Sequence, residues 1–579
     1  MVKPCLSVKP VSASLAAGRT LNWQQGLPSQ PLPRLQQTFE LYLSYLEPMM
    51  EEDELKRFKE LTEEFQKAGG VGERLQRGLE RKACNTENWQ LFEHVKVLKK
   101  AINLPEKEKE KEEFLQDQWG LRCSDVVSVQ ALITTSSLFM CAAELTASLL
   151  DVKTMIDNET LPVDYLRGKP LCMNQYKQIM SCCVIPGLET DSVEYYTHKH
   201  ITVVHNCQFF VLEVYNNDGT PLTVDQLCVQ LERICKSSLQ TDTEPVGILT
   251  TGDRDTWSKT YINLIKDKTN KESLSAIQSS IFTVCLDGAM PVDEIYDRSA
   301  GVQVLYGGGS QWNSGNRWFD KCLQLIIGED GTCGANLTHH TADGTTMMSL
   351  LGHTLAGMKK PQLTQSPMEP LPVPKKLHFN ITPDIKKDLE EAKLHMDKLA
   401  RDTDLVVRIF DHFGKNVLKA HKMSPDAFIQ MALQLAYYRM HQRFTVLEEP
   451  VSLRMFRLGR ICNVNTNLPA AVTFVKAFDD PQKENSEKVD LLEKALKAHT
   501  RDIVMVTSKN GIQSIIGPPK RGAMNMSYSI MDDHIKLCWV TVDTSNNCTE
   551  VKAGSMIQAL EDALLDMRTL IQQTSRPEL

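Results

Sequence analysis

Two groups of side chains in this sequence have residue types and spacing that suit chemistry. The first is Leu337-Thr338-His339-His340-Thr341-Ala342-Asp343-Gly344, just after the apolar run Leu323 to Ile327. An imidazole titrates near neutral pH, so a histidine on a loop after a strand is placed to accept a proton. A nearby acid such as Asp343 fixes the tautomer and stabilises the imidazolium that forms. The second group is Lys415, Lys419 and Lys422, standing before a helix predicted to begin at Pro425. Ammonium groups beside the unpaired N–H groups of a helix start suit a phosphate. Spacing alone leaves each group an ordinary alternative: a surface histidine pair and a solvated basic loop.

Other chemistry lacks its signature. No G-x-x-x-x-G-K-[ST], G-x-S-x-G or H-E-x-x-H occurs. Gly307-Gly308-Gly309-Ser310 has no lysine at phosphate-loop spacing and reads as a turn. The sixteen cysteines are scattered, with no C-x-x-C, so no metal site is expected and the thiols read as reduced and buried.

The elements that must carry these residues follow from periodicity. From Leu35 to Leu91 the pattern is helical: Phe39, Tyr42, Leu43 and Leu46, then Leu55, Phe58, Leu61 and Phe65. Gly69-Gly70-Val71-Gly72 ends the second of these helices and opens a third. Residues 105–113 are nearly all Lys and Glu, a solvated helix or loop. Residues 126–143 carry no charge, but Gln130 and several Ser and Thr interrupt them, so a buried helix is expected rather than a membrane span. Beyond Leu161, short β-branched and aromatic runs (201–204, 209–215, 281–286) alternate with helical stretches such as Thr223 to Ser238, which indicates an α/β sheet. Pro361, Pro367, Pro370, Pro372 and Pro374 punctuate a boundary. After it, Ser424, Pro425 and Asp426 read as N-cap, first position and first-turn acid of a helix burying Phe428, Met431, Ala432 and Leu435.

The 579 residues carry a formal net charge of −8, which argues against a general nucleic-acid or anionic-membrane binder. The first acidic residue is Glu40, and the stretch before it holds Lys3, Lys9, Arg19 and Arg34. An acid-free, basic leader is expected to be a mitochondrial targeting segment over residues 1–33. The terminal Pro577-Glu578-Leu579 is not a peroxisomal signal.

Several long stretches resemble the carnitine/choline acyltransferase family. They are Gly69 to Leu75, Leu161-Pro162-Val163-Asp164-Tyr165-Leu166, Gly168 to Tyr176, Asn313-Ser314-Gly315-Asn316-Arg317-Trp318-Phe319-Asp320-Lys321, and Ser424 to Ala432. The resemblance implies an α/β fold of two chloramphenicol-acetyltransferase-like domains with an active-site tunnel at their interface. One would span 34–380 and carry the catalytic histidine. The other, shortened, would span 381–579 and carry the coenzyme A lysines. It implies reversible transfer of a short acyl group between CoA and the hydroxyl of L-carnitine, with acetyl-CoA and carnitine as partners and no permanent cofactor. His339 falls on the family's base and Asp343 on its companion acid. Lys415 and Lys419 fall on CoA-binding lysines, and Asp426 on a CoA-contacting acid. A monomer, with peripheral membrane association at most and no nucleic-acid partner, is the expected state.

This sequence also departs from the family. Thr338 replaces a glutamate before the histidine, His340 a small residue after it, and Thr345 and Thr346 two prolines. Leu447, Ile461 and Cys462 fall on altered acceptor-pocket positions. The S-T-S-Q motif and the following strand are missing, the chain passing from Met531 to a later strand near His534. An earlier stretch after His499 is shortened, and with it goes an arginine that would meet the carnitine carboxylate. An oxyanion donor of the S-T-S-Q kind is typically worth about 10²–10³ in rate. The alternative expectation is therefore a catalytically impaired relative that retains CoA binding, and removal of an internal strand is expected to leave its neighbours unpaired unless the loops repack.

Overall fold

The computed structural model describes residues 20–89, 126–130, 138–239, 243–291, 296–358, 371–505, 524–542 and 553–574. Most of the proposed leader, the Lys/Glu run at 105–113, the segment after Met505 and the C-terminal Pro577-Glu578-Leu579 lie outside the described residues.

The first half is built on a seven-stranded mixed sheet. Its strand order is Val126–Gln130, Cys333–Thr338, Leu323–Gly328, Thr283–Asp287, His200–His205, Gln208–Glu213 and Lys375–Lys376. The three inner strands 200–205, 283–287 and 323–328 run parallel, and every other pairing is antiparallel. These inner strands are buried along their whole length, as continuous Val/Ile/Leu runs require when helices cover both faces. Strands 200–205 and 208–213 join through Asn206-Cys207, both with positive φ, the backbone that a two-residue hairpin demands. The Gly307–Gly309 run is a turn, with φ of 81°, 85° and 116°.

The uncharged stretch 126–143 is not one buried helix. Val126–Gln130 is an edge strand pairing with Cys333–Thr338, and a helix spans Leu138–Asp157 with most of its surface buried. Among the described residues no helix is long and apolar enough to cross a membrane. The cysteines among them are free and mostly buried.

One of the family-like stretches, Asn313–Lys321, is a packing device. In Asn313–Lys321 the polar groups face inward. Arg317 makes a two-pronged pair with Asp287 (2.8 and 2.7 Å), both side chains fully buried. Asp320 accepts from Arg254 at 2.9 Å and from Trp257 Nε1 at 2.7 Å, and Lys321 Nζ donates to the Gln278 carbonyl at 2.8 Å. Arg317 and Asp320 thus each face an opposite charge, and Lys321 faces backbone carbonyls.

The second half holds a three-stranded antiparallel sheet in the order Thr403–Phe410, Ile535–Val542, Met524–Ile530. Helices Pro425–His441, Pro469–Phe478, Asn485–Met505 and Ala553–Thr574 pack around it in one apolar core. Ser424 caps the first of these, accepting from Ala427 N at 3.4 Å, as the sequence predicts. The shortened segment closes cleanly. Strands 524–530 and 535–542 pair directly from Ile530↔Ile535 onward, joined by the four residues Met531-Asp532-Asp533-His534. The two halves share a core: Leu405 of the 403–410 strand belongs to the same buried apolar cluster as Phe209 and Ile326 of the large sheet's strands.

Candidate active site

Strand Cys333–Thr338 is fully buried and contains no β-branched residue before its last position, so its apolar and polar residues gave no strand signal of their own. It inserts between Leu323–Gly328 and Val126–Gln130, and His339 is the first residue beyond it. The loop then turns through Thr341 and Ala342, both buried, to Asp343. The Asp343 carbonyl accepts the first hydrogen bonds of helix Gly344–Met358, from Thr346 N and Met347 N at 3.0 and 3.1 Å. His339 is half-buried and His340 exposed, while Asp343 is fully buried.

The carboxylate of Asp343 has two partners. Oδ1 accepts from Arg460 Nε at 2.8 Å and Oδ2 from Gln175 Nε2 at 2.7 Å. Arg460 uses its other nitrogens on the histidine loop: Nη2 donates to the His339 carbonyl at 2.6 Å, and Nη1 to the His340 carbonyl at 3.1 Å. A planar guanidinium with donors in fixed directions suits a carboxylate and two carbonyls together. The structure therefore joins His339 to Asp343 through Arg460, a residue of the other half of the chain. Arg460 reaches there from the loop of a hairpin formed by strands Glu448–Ser452 and Ile461–Asn465. That loop is tight: a Cβ on Gly459 would stand 1.9 Å from the Leu453 carbonyl oxygen. The family-like Leu161–Tyr176 stretch docks on the same loop. Arg454 donates to the Cys172 carbonyl at 2.9 Å and to Asp164 at 2.7 Å.

Lys415, Lys419 and Asp426 belong to a second region. Helix Lys415–Ala420 begins against the Met531–His534 turn, with Lys415 N donating to the Met531 carbonyl at 2.8 Å and Asn416 N to the Asp532 carbonyl at 3.1 Å. The approach is close enough that a Cβ on Gly414 would lie 2.5 Å from Met531 O. The Lys415 ammonium meets Asp532 at 2.8 Å, and Lys419 is exposed one turn on. Asp426 sits in the first turn of its helix and accepts from Tyr528 Oη at 2.7 Å, and Tyr528 in turn accepts from Gln430 Nε2 at 2.8 Å. Glu449 pairs with His499 Nε2 at 2.9 Å. Burial, with Asp426 beside it, holds the Glu449 carboxyl above its usual range, while its bond to His499 works the other way. Burial and the Asp426 and Glu449 charges push the Tyr528 phenol well up. One ligand-type atom each of Asp426, Glu449 and His499 lies within 4.8 Å of the others. Hydrogen bonds to Tyr528 and between Glu449 and His499 already engage them.

Hairpin 448–465 thus links the two regions, carrying Glu449 toward Asp426 and Arg460 toward His339. The altered position Cys462 faces a small apolar cluster with Val451, Leu453, Phe456 and Val464. At Leu447 the backbone N–H donates to Asn467 Oδ1 at 2.9 Å. Arg460 stands directly before the altered positions Ile461 and Cys462, and Gln175 lies inside the family-like Gly168–Tyr176 stretch. Their convergence on Asp343 spans 117 and 168 positions, which no local pattern reveals.

A histidine at the end of a sheet strand, with its loop backbone held by a guanidinium and a buried carboxylate, defines a mixed α/β protein with a constellation suited to general-base chemistry. Comparison with known proteins gives the class. Residues 30–516 match the family model described as choline/carnitine O-acyltransferase. Carnitine O-acetyltransferase of Columba livia is 44% identical over 630 positions, covering 100% of this chain and 98% of the relative. The human carnitine O-acetyltransferase is 44% identical over 632 positions, covering 100% and 99%. Choline O-acetyltransferase of Rattus norvegicus is 34% identical over 528 positions, covering 87% and 79%. The chain belongs to the choline/carnitine O-acyltransferase family and is an acyltransferase. Its alignments with the carnitine enzymes run longer than the chain itself, so those relatives carry residues that it lacks.

Proposed function

We propose that this protein is a carnitine O-acetyltransferase-like enzyme, moving an acetyl group reversibly between CoA and the hydroxyl of L-carnitine with His339 as general base. The observation that carries the reading is 44% identity over the whole chain to carnitine O-acetyltransferases, against 34% to the choline enzyme. In the forward direction the His339 imidazole takes the proton of the carnitine hydroxyl as the oxygen attacks the thioester carbonyl. The tetrahedral intermediate collapses, the C–S bond breaks, and the imidazolium returns its proton to the CoA thiolate. Asp343 and Arg460 hold the loop that carries the imidazole. Lys415 and Lys419 are assigned to the phosphates of CoA and Asp426 to an adjacent contact, with no permanent cofactor. The basic, acid-free N-terminus supports mitochondrial import.

Thiol release from acetyl-CoA, with and without L-carnitine, tests this on wild type and His339→Ala. Carnitine-dependent release that the substitution abolishes is the expected result. A folded wild type that binds CoA without carnitine-dependent release overturns it.

A further inference from the structure

Gln175 lies in the family-like Gly168–Tyr176 stretch, on a short turn far in sequence from the histidine loop, and is 3% exposed. Its amide is engaged on both sides. Nε2 donates to Asp343 Oδ2 at 2.7 Å and to the Gly459 carbonyl at 3.0 Å. Oε1 accepts from Asp343 N at 2.9 Å and from Thr346 Oγ1 at 2.9 Å. One side chain therefore grips both the backbone and the carboxylate of Asp343, the first turn of the following helix, and the residue just before Arg460. A buried network in which every member is satisfied is rigid and specifies one geometry.

We propose that Gln175 is a positioning residue for the histidine base. It sets the direction of the Asp343 carboxylate, which holds Arg460, which holds the carbonyls of His339 and His340. The inference rests on the reading of His339 as the base. Gln175 needs both amide functions: an acceptor for Asp343 N and Thr346, and a donor for Asp343 Oδ2. Glutamate has the same shape but, when ionised, supplies acceptors only. In Gln175→Glu the new carboxylate faces Asp343. Two adjacent carboxylates cannot both ionise at ordinary cost, so one proton is shared over a raised range of pH. Below the upper apparent pKa of that pair, the single shared proton keeps the bond between positions 175 and 343, although the amide's second bond, to the Gly459 carbonyl, is lost. Above it, the two charges repel and the carboxylate turns away.

The test is kcat and KM for acetyl-CoA and carnitine across pH 6 to 9, measured on the full chain for wild type, Gln175→Glu and Thr346→Val, with His339→Ala alongside. For Gln175→Glu the ratio of mutant to wild-type kcat is expected to rise as pH falls, with a loss of about 10-fold or more on the alkaline side and both KM values nearly unchanged. Thr346→Val removes one donor from Oε1 and keeps the shape, so kcat is expected to fall about 2–5-fold at every pH without a change in KM. A Gln175→Glu ratio that stays flat with pH, or a loss confined to KM, overturns the proposal. Should Gln175→Glu fail to fold, an unchanged kcat in Thr346→Val overturns it instead. Full activity in His339→Ala would sink the reading of the base itself, which is a different failure.

Discussion

Asp532 meets the ammonium of Lys415 at 2.8 Å, so a lysine assigned to the phosphates of CoA already faces a carboxylate of its own chain. The pair is built in by its surroundings. The turn bearing Asp532 hydrogen-bonds to the start of the Lys415 helix through two backbone contacts, and Gly414 lets the turn come close. A phosphate arriving at Lys415 must displace Asp532 or share the lysine with it.

Asp532→Asn is therefore expected to tighten CoA binding. The two side chains are 35% and 68% exposed, so solvent screens the pair and the gain is small, about 2–5-fold in Kd at low salt. The difference shrinks at high ionic strength. Calorimetric titration of CoA into both proteins at two salt concentrations measures it. Lys415→Ala should weaken binding under the same conditions. An unchanged Kd in Asp532→Asn with a weakened Lys415→Ala would mean that the carboxylate is no competitor.

Arg460→Lys is expected to lower kcat by about 10²-fold while the KM values stay close to wild type. Lysine keeps the charge but presents one ammonium where the guanidinium meets Asp343, His339 and His340 along three separate directions. The histidine loop then loses its brace without losing a substrate contact. Steady-state kinetics of the variant, alongside its thermal unfolding, separates this from general destabilisation. Equal losses in kcat and stability would assign Arg460 a structural role only.

The elements that hold the site were unevenly legible. Ser424-Pro425-Asp426 predicts its helix start because capping chemistry is local, and Gly69 takes the left-handed backbone that ends its helix, with φ of 76°. The central strands are legible because they are short runs rich in β-branched and apolar residues. Strand Cys333–Thr338, which delivers His339, was invisible: Gly334, Ala335 and Asn336 carry no strand preference, and burial between two neighbours is what makes them extended. Val126–Gln130 merged with the helix after it for a similar reason, since an uncharged stretch does not announce where the backbone changes. His339 and Asp343 are singled out by their spacing, but the carboxylate bonds to Arg460 and Gln175, and Arg460 in turn bonds to the His339 carbonyl. Gln175, Arg460 and Asp532 act through contacts that only the fold creates.

Arg317 and Asp287 provide a stability prediction independent of the site. Arg317→Leu leaves the Asp287 carboxylate fully buried without its guanidinium, which is expected to cost about 3–5 kcal/mol. The double substitution Arg317→Leu with Asp287→Leu removes both charges and is expected to recover much of that loss, because apolar pairs often replace buried ion pairs at little cost. Urea unfolding of the two singles and the double closes the cycle. Additive losses would mean that the two groups are not coupled, against their 2.7 and 2.8 Å bonds.

Glu449 gives the molecule a pH dependence whose sign can be worked out. Burial and the adjacent Asp426 raise its folded pKa above the ordinary carboxylate value, although the His499 bond opposes them. Between those two pKa values the folded protein holds a proton that the unfolded chain has released, so stability falls as pH rises through that window. Below the unfolded value both states are protonated, and the contribution of Glu449 is fully present. Glu449→Gln carries no titrating proton, so its stability should lose this slope. The variant should gain on wild type as pH rises from about 4 upward, until the wild-type residue is fully ionised. Asp426, Tyr528 and His499 surround the position, and in the variant His499 Nε2 meets an amide instead of a carboxylate. Thermal unfolding of both proteins between pH 4 and pH 8 reads the difference directly. A gap between the two melting temperatures that does not widen with pH would mean that Glu449 is already ionised in the ordinary range, with the His499 bond outweighing its burial.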